Sequence, residues 1–186
     1  MQMTNSGVRL NTNQIKEYLE SHLPYRLNSL RAWDLYVSRR KAKTYDEEDK
    51  SLKCYWEGEL LQPSFEISLV FGRSLLNFLG IKRDGSSMKN FESHEILDSD
   101  KDTVFIWHVN PGKKAYPLQN LNMSDMAHLV NLVKVANKSA AHLTIKTSTI
   151  EELDSLMPAR QIIYRLMLEY VDGLDKKTLW WYPRQP

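Results

Sequence analysis

Residues 124–144 have the sequence SDMAHLVNLVKVANKSAAHLT, and this stretch predicts a long helix that packs against a hydrophobic core. Its apolar side chains recur every three or four residues, a spacing that places them on one face of a helix. They are Met126, Leu129, Val133, Ala136 and Ala140. His142 lies at the predicted end of this helix, so the stretch combines a core-forming face with a side chain that can transfer protons.

Most of the remaining chain also has helical periodicity. The predicted segments are 13–23, 24–43, 46–61, 63–83, 148–157 and 158–174. Pro24 is expected to end or kink the first of them. Segment 63–83 is the most apolar, and its side chains cover nearly the whole circumference, so we expect it to be central and buried on most sides. Gly80 near its end is a typical stop signal.

The intervening segments lack this periodicity. Residues 1–11 are polar and predicted to be weakly ordered, and residues 83–120 are predicted to form a long irregular excursion. Within it, VFIWHV at 104–109 has strand composition, but a single strand without a partner favours an extended loop. Residues 178–186 form an aromatic tail. The sequence therefore predicts one all-α domain over residues 1–186, a bundle of about five to seven helices.

Composition excludes several classes of protein. The chain of 186 residues is 42% apolar and 26% charged, with a formal charge of +2, which is typical of a globular protein near neutrality. The single cysteine, Cys54, excludes an intramolecular disulfide. Neither a signal peptide nor an apolar run of roughly 18 residues is present, so we expect a cytoplasmic protein without membrane association.

A run of basic residues near the N-terminus is interpreted as the solvated face of one helix rather than as a nucleic-acid patch. Its members are Arg26, Arg31, Arg39, Arg40, Lys41 and Lys43. The five histidines have no metal-ligand spacing, and the sequence has no glycine-rich phosphate loop, so neither a metal site nor a cofactor is expected.

Two charged residues fall on apolar faces and need partners. Arg73 lies within the apolar segment 63–83, where an unpaired charge would be costly to bury. Either it pairs with a buried carboxylate, such as Glu66 or Asp34, or it holds an anion together with Asn77. Asp34 itself lies on the apolar face of segment 24–43, either at the edge of that face, which is the more common arrangement, or paired with a cation.

His142 also has two interpretations. A histidine at a helix end commonly interacts with the terminal carbonyl groups. Alternatively it acts as a general acid–base or contacts phosphate, which requires a second group within hydrogen-bond reach. The candidates for that second group are Asn137, Lys138 and, from another helix, Arg73.

The two segments FGRSLLNFLGIK at 71–82 and ANKSAAHLT at 136–144 resemble bacterial proteins of the HEPN superfamily, including relatives of abortive-infection proteins. The resemblance implies a helical bundle. It also implies a role in toxin–antitoxin or phage-defence systems, where many members are ribonucleases that act across a dimer cleft. Their signature is an arginine, often followed by a polar residue, and a histidine four to six residues later on the same helix.

In this sequence the signature histidine corresponds to His142, whereas Asn137 stands at the arginine position and Lys138 follows it. An asparagine cannot supply the charge that stabilises a phosphorane. The resemblance therefore favours a non-catalytic or regulatory binding protein, with RNA or a protein as partner and a homodimer as its assembly. One alternative is a metal-independent ribonuclease that uses His142 with Arg73 or Lys138. Another is an interaction scaffold that binds partners through Trp180, Trp181 and the polar segment 83–102.

Overall fold

The computed structural model describes residues 9–42, 62–92, 103–139 and 155–180. The α-helices of these ranges are α1 (Thr12–Glu17), α2 (Leu23–Ala42), α3 (Gln62–Phe78), α4 (Ile106–Val109), α5 (Met123–Ser139) and α6 (Met157–Tyr170). A mostly helical fold was predicted and is confirmed. The expectation of a purely α-helical bundle is wrong, because residues 81–90 form a small antiparallel sheet. None of the helices in the described ranges combines the length and the apolar composition that a membrane span needs.

The first helix does not end at Pro24. Instead, α1 continues into α2 through a π-helical turn, Tyr18–His22. Proline has no N–H group, and its ring crowds the preceding turn. The Leu23 N–H bonds to the Tyr18 carbonyl, five residues back. This pairing and Pro24 leave the Leu19 carbonyl without a helical donor, and the backbone N–H of Asp175 donates to it at 3.2 Å. The C-terminal segment thus completes the wider turn that accommodates Pro24.

Helix α3 lies against the core but is not buried on most sides, which corrects the prediction from its composition. Leu69, Leu75 and Leu76 are buried, whereas Ile67 and Val70 are 44% and 49% exposed. Because these two lie one turn apart, together with Arg73 they define a solvent-facing stripe. Gly80 ends the segment as predicted: its φ is 76°, and its N–H bonds to the Asn77 carbonyl at 2.8 Å.

The residues after α3 form a β-hairpin where an irregular excursion was predicted. Strand β1 (Ile81–Asp84) pairs with β2 (Ser87–Asn90) in the register Ile81↔Asn90 and Asp84↔Ser87. The two-residue turn has a glycine, Gly85, at φ 57°, followed by serine, a common hairpin signal. The side chains of Ile81 and Met88 are buried, so one face of the hairpin extends the core.

The segment VFIWHV is helical rather than an extended loop. Its last four residues form α4, where the His108 Nδ1 accepts a hydrogen bond from the Phe105 N–H at 3.2 Å. The ring of Phe105 stacks on that of Trp107 with centroids 4.5 Å apart. A short 3-10 turn, Leu118–Asn120, then leads to α5. Local aromatic stacking and the histidine cap therefore stabilise a helical turn despite the strand-like composition.

Helices α5 and α6 bury the apolar faces that their periodicity predicts, and both pack against α3. Leu129, Val133 and Ala136 of α5 are buried, and Met126 is partly buried. Helix α6 starts at Met157, so Pro158 lies in its first turn, where the missing N–H costs nothing. The predicted segments 46–61 and 148–154, as well as Ala140 and His142, lie outside the described residues.

An ion network joins α2 to α6 inside the core. The carboxylate of Asp34 accepts hydrogen bonds from Arg160 at 2.6 Å and from Arg31 at 2.6 Å, and all three residues are buried. Asp34 is thus paired with cations, and the edge position favoured by its sequence context is wrong. The burial of Arg31 likewise contradicts the interpretation of the basic run as one solvated face. The described side chains do not extend to Arg39, Arg40, Lys41 and Lys43.

Candidate anion-binding cleft

A cleft of about 520 Å³ opens between the π-helical turn, the start of α2, and helices α3 and α5. This volume falls in the range of small-ligand sites, about 300–1,000 Å³. Its polar lining consists of hydrogen-bond donors and hydroxyl groups: Arg26, Arg73, Ser74, Asn77 and Thr103. Its apolar lining is Leu23, Val70, Leu75, Phe78, Val104 and Ala136, and Tyr18 adds an aromatic ring.

Helix α3 supplies most of the polar wall because Val70, Arg73, Ser74 and Asn77 follow one another at helical spacing. The guanidinium of Arg73 is exposed, and its Nη1 donates to Oδ1 of Asn137 on α5 at 2.8 Å. The structure therefore connects two of the residues that the sequence singled out, 64 positions apart. This contact fixes the guanidinium at the mouth of the cleft.

The alternative of a buried ion pair for Arg73 is wrong. Its proposed partner Asp34 is bound by Arg160 and Arg31, and Glu66 is exposed on the same helix as Arg73. Within the described residues, Arg73 makes no ion pair. An exposed guanidinium keeps its hydration, so no dehydration cost has to be offset, and the charge stays available to a ligand.

Arg26 is a second cation in the cleft, which the sequence did not single out as a site residue. Its guanidinium carbon lies 5.9 Å from the ring centroid of Tyr18 and 5.8 Å from that of Phe71. Its Nη1 also donates to the His22 carbonyl at 3.1 Å. In the sequence Arg26 is one of several residues of a basic run. Its position in the cleft follows from the packing of α2 beside α3, which the sequence pattern does not show.

The remaining predicted site residues are divided between the cleft and other places. Asn77 lines the cleft, as expected for a partner of Arg73. Trp180 is 60% exposed, while its backbone is held to α2, because its N–H donates to Oδ1 of Asn28 at 2.9 Å. Lys138 lies on α5, but its side chain, as well as His142 and Trp181, lies outside the described residues.

Two groups elsewhere have shifted pKa values. Burial lowers the pKa of His108 below its ordinary value of 6.5. Burial, and next the charge of Glu169, raise the pKa of Tyr116 above its ordinary value. Neither residue lines the cleft, so these shifts belong to the packing around α4 and α6. No group of three metal-ligating side chains that could hold an ion occurs in the described parts of the chain.

Comparisons with protein-family models, with curated protein sequences and with solved structures each find no match to this chain.

Proposed function

We propose that this protein is a HEPN-like helical binding protein with a regulatory, non-catalytic role in a bacterial defence or stress system. In this proposal the cleft binds the phosphate groups of RNA. The observation that carries the proposal is the hydrogen bond between Arg73 and Asn137 at the mouth of a donor-lined cleft.

The resemblance places an arginine where this chain has Asn137. Arg73 brings a guanidinium to that place from another helix, with its Nη1 only 2.8 Å from the asparagine oxygen. A guanidinium presents several N–H groups in one plane, which matches the oxygens of a phosphate. The charge that Asn137 lacks is therefore supplied by Arg73, which supports binding of a phosphodiester at this position.

The rest of the polar lining favours binding. Asn77, Ser74 and Thr103 can donate hydrogen bonds to phosphate oxygens, and Arg26 adds a second positive charge. Cleavage of RNA would require, in addition, a group that accepts or donates a proton at the reacting oxygen. The described lining supplies groups for phosphate recognition, which supports the binding role.

A metal-independent ribonuclease is the second candidate. It is favoured by the connection of Arg73 to α5 at Asn137, because His142 follows Asn137 by five positions in the sequence. His142 would transfer the proton, and Arg73 or Lys138 would stabilise the charge on phosphorus. The exposed ring of Trp180 favours a third candidate, an interaction scaffold.

Binding of a fluorescently labelled single-stranded RNA, measured by anisotropy, tests the proposal. Arg73→Gln should weaken binding at least about tenfold, since a charge-assisted hydrogen bond is lost. Arg165→Gln is the matched control, because it removes the same charge from an exposed position on α6 that pairs with Asp125. Equal dissociation constants for Arg73→Gln and Arg165→Gln would overturn the proposal.

The same RNA, incubated with EDTA and analysed for cleavage, separates the first two candidates. Cleavage that disappears in His142→Ala, with the circular dichroism spectrum unchanged, would establish the ribonuclease and end the non-catalytic proposal. Intact RNA bound through Arg73 supports the regulatory role. The homodimer that the resemblance implies is tested by size-exclusion chromatography with light scattering, where a monomeric mass would contradict it.

A further inference from the structure

Arg26 is held in place before any ligand binds. Two aromatic rings lie about equally far from its guanidinium carbon, and a backbone carbonyl accepts one of its N–H groups. A guanidinium that contacts two aromatic rings and donates one N–H to a carbonyl retains further N–H groups and loses less side-chain entropy when it binds an anion. The π-helical turn contributes to this arrangement, since it supplies both Tyr18 and the His22 carbonyl.

Arg73 is fixed in a similar way by Asn137, so one cleft is lined by two oriented guanidinium groups from two helices. The described residues give neither group a carboxylate partner. Like charges on the walls of one cleft repel each other, and an anion bound between them removes that repulsion. A single phosphate can satisfy one guanidinium fork, whereas two forks suit a ligand with two phosphate groups.

We propose that Arg26 and Arg73 form a two-part site for a ligand with two neighbouring phosphate groups, such as successive phosphates of one RNA strand or a diphosphate. This inference rests on the proposed phosphate binding at Arg73 and adds Arg26 as a specificity-determining residue. The apolar lining of Leu23, Val104 and Ala136 would contact the organic part of the ligand.

Isothermal titration calorimetry with inorganic pyrophosphate and with orthophosphate, at equal ionic strength, tests the two-part site. The wild type should bind pyrophosphate at least about tenfold more tightly than orthophosphate, because only pyrophosphate engages both forks. Arg26→Gln should abolish this preference while retaining the weaker binding of orthophosphate at Arg73. Arg165→Gln, which removes a charge outside the cleft, should bind as the wild type does.

Arg26→Lys distinguishes a fitted fork from general attraction, because lysine keeps the charge but lacks the planar donors. It should lose most of the preference for pyrophosphate, and a preference equal to that of the wild type would overturn the inference. A result in which Arg73→Gln abolishes binding but Arg26→Gln has no effect would also overturn it, while leaving the proposed function intact. Affinities that are unchanged in both variants would overturn both proposals.

Short RNAs identify the source of the two phosphates. A trinucleotide without terminal phosphates has two internal phosphates, and the corresponding dinucleotide has one. Tighter binding of the trinucleotide, lost in Arg26→Gln, supports successive phosphates of one strand. Tight binding of pyrophosphate together with equal, weak binding of both RNAs supports a small diphosphate at the same two-part site.

Discussion

Arg160 donates two hydrogen bonds to one carboxylate oxygen of Asp34, although the two residues are 126 positions apart in the chain. The distances to Oδ1 are 2.9 Å from Nε and 2.6 Å from Nη2, and both side chains are buried. The Nε of Arg31 donates a hydrogen bond to the other carboxylate oxygen, Oδ2. The α2–α6 contact is therefore specified by charge as well as by apolar packing, which fixes how the two helices align.

Removal of one charged side chain from the buried ion network should destabilise the protein strongly. Arg160→Met leaves Asp34 in the core without its main partner, and we expect a loss of about 3–5 kcal/mol in the free energy of unfolding. Urea denaturation followed by circular dichroism measures the loss. Arg165→Met on the same helix, an exposed ion pair with Asp125, should cost less than about 1 kcal/mol. Similar losses for the two variants would contradict the assigned role of the network.

The two faces of α3 should respond differently to truncation. Leu76 is 1% exposed, and Leu76→Ala should cost about 2–5 kcal/mol because it opens a cavity in the core. Ile67 lies on the solvent-facing stripe, so Ile67→Ala should lower the free energy of unfolding by less than about 1 kcal/mol. Denaturation midpoints of the two variants provide the test. A free energy of unfolding of Leu76→Ala within about 0.5 kcal/mol of the wild-type value would contradict the burial of this face.

Gly80 should be intolerant of a side chain for two separate reasons. Its φ is 76°, and a Cβ added there would lie 2.6 Å from the Cβ of Ala115. Gly112 has a φ of 94° but open space around it, so Gly112→Ala should cost only the backbone strain, about 1 kcal/mol. Gly80→Ala adds overpacking and should exceed that by about 1–3 kcal/mol. Thermal unfolding of both variants measures the difference, and equal melting temperatures would exclude the packing contribution.

His108 should make stability depend on pH. Its pKa is lowered by burial, so the unfolded chain takes up a proton below pH 6.5 before the folded protein does. The contribution of neutral His108 to the free energy of unfolding is therefore fully present above pH 6.5, and it decreases as the pH falls towards the lowered pKa. Protonation would also break the hydrogen bond in which Nδ1 accepts from the Phe105 N–H.

The variant His108→Gln isolates this effect, since glutamine can accept the same backbone N–H but does not titrate. Unfolding free energies at about pH 5 and about pH 8 should differ less in the variant than in the wild type. The other histidines are common to both proteins and cancel in the comparison. An identical pH dependence of the two would remove His108 as its source.

The periodicity of apolar residues and the positions of glycines predicted those parts of the fold that neighbouring residues in the sequence determine. The buried face of α5 and the stop at Gly80 follow from periodicity and glycine chemistry. The β-hairpin was also accessible, because Gly85 and Ser86 form a recognisable two-residue turn, but the polar composition around it suggested an irregular segment. Apolar composition could not show that Ile67 and Val70 face solvent, because this depends on which elements cover each side of α3.

The candidate site was predictable only in part. Arg73 and Asn77 were identified because a charge within an apolar helix requires an explanation. The contact of Arg73 with Asn137 and the position of Arg26 depend on how α2, α3 and α5 pack, which no local pattern records. Arg160 is the clearest case, since its sequence context in an amphipathic helix gives no indication that it pairs with Asp34.

The closure of the N-terminal helices by the C-terminal segment has a consequence for the newly made chain. The π-helical turn is completed by Asp175, and Asn28 bonds to the carbonyl of Thr178, 150 positions later. Translation at about 5–20 residues per second places these partners on the ribosome roughly 8–30 s after α2. During that interval the apolar face of α2 has no C-terminal cover. Apolar surface that the folded protein buries is therefore exposed on the partly made chain, and this part of the core can close only after residues 175–178 have emerged.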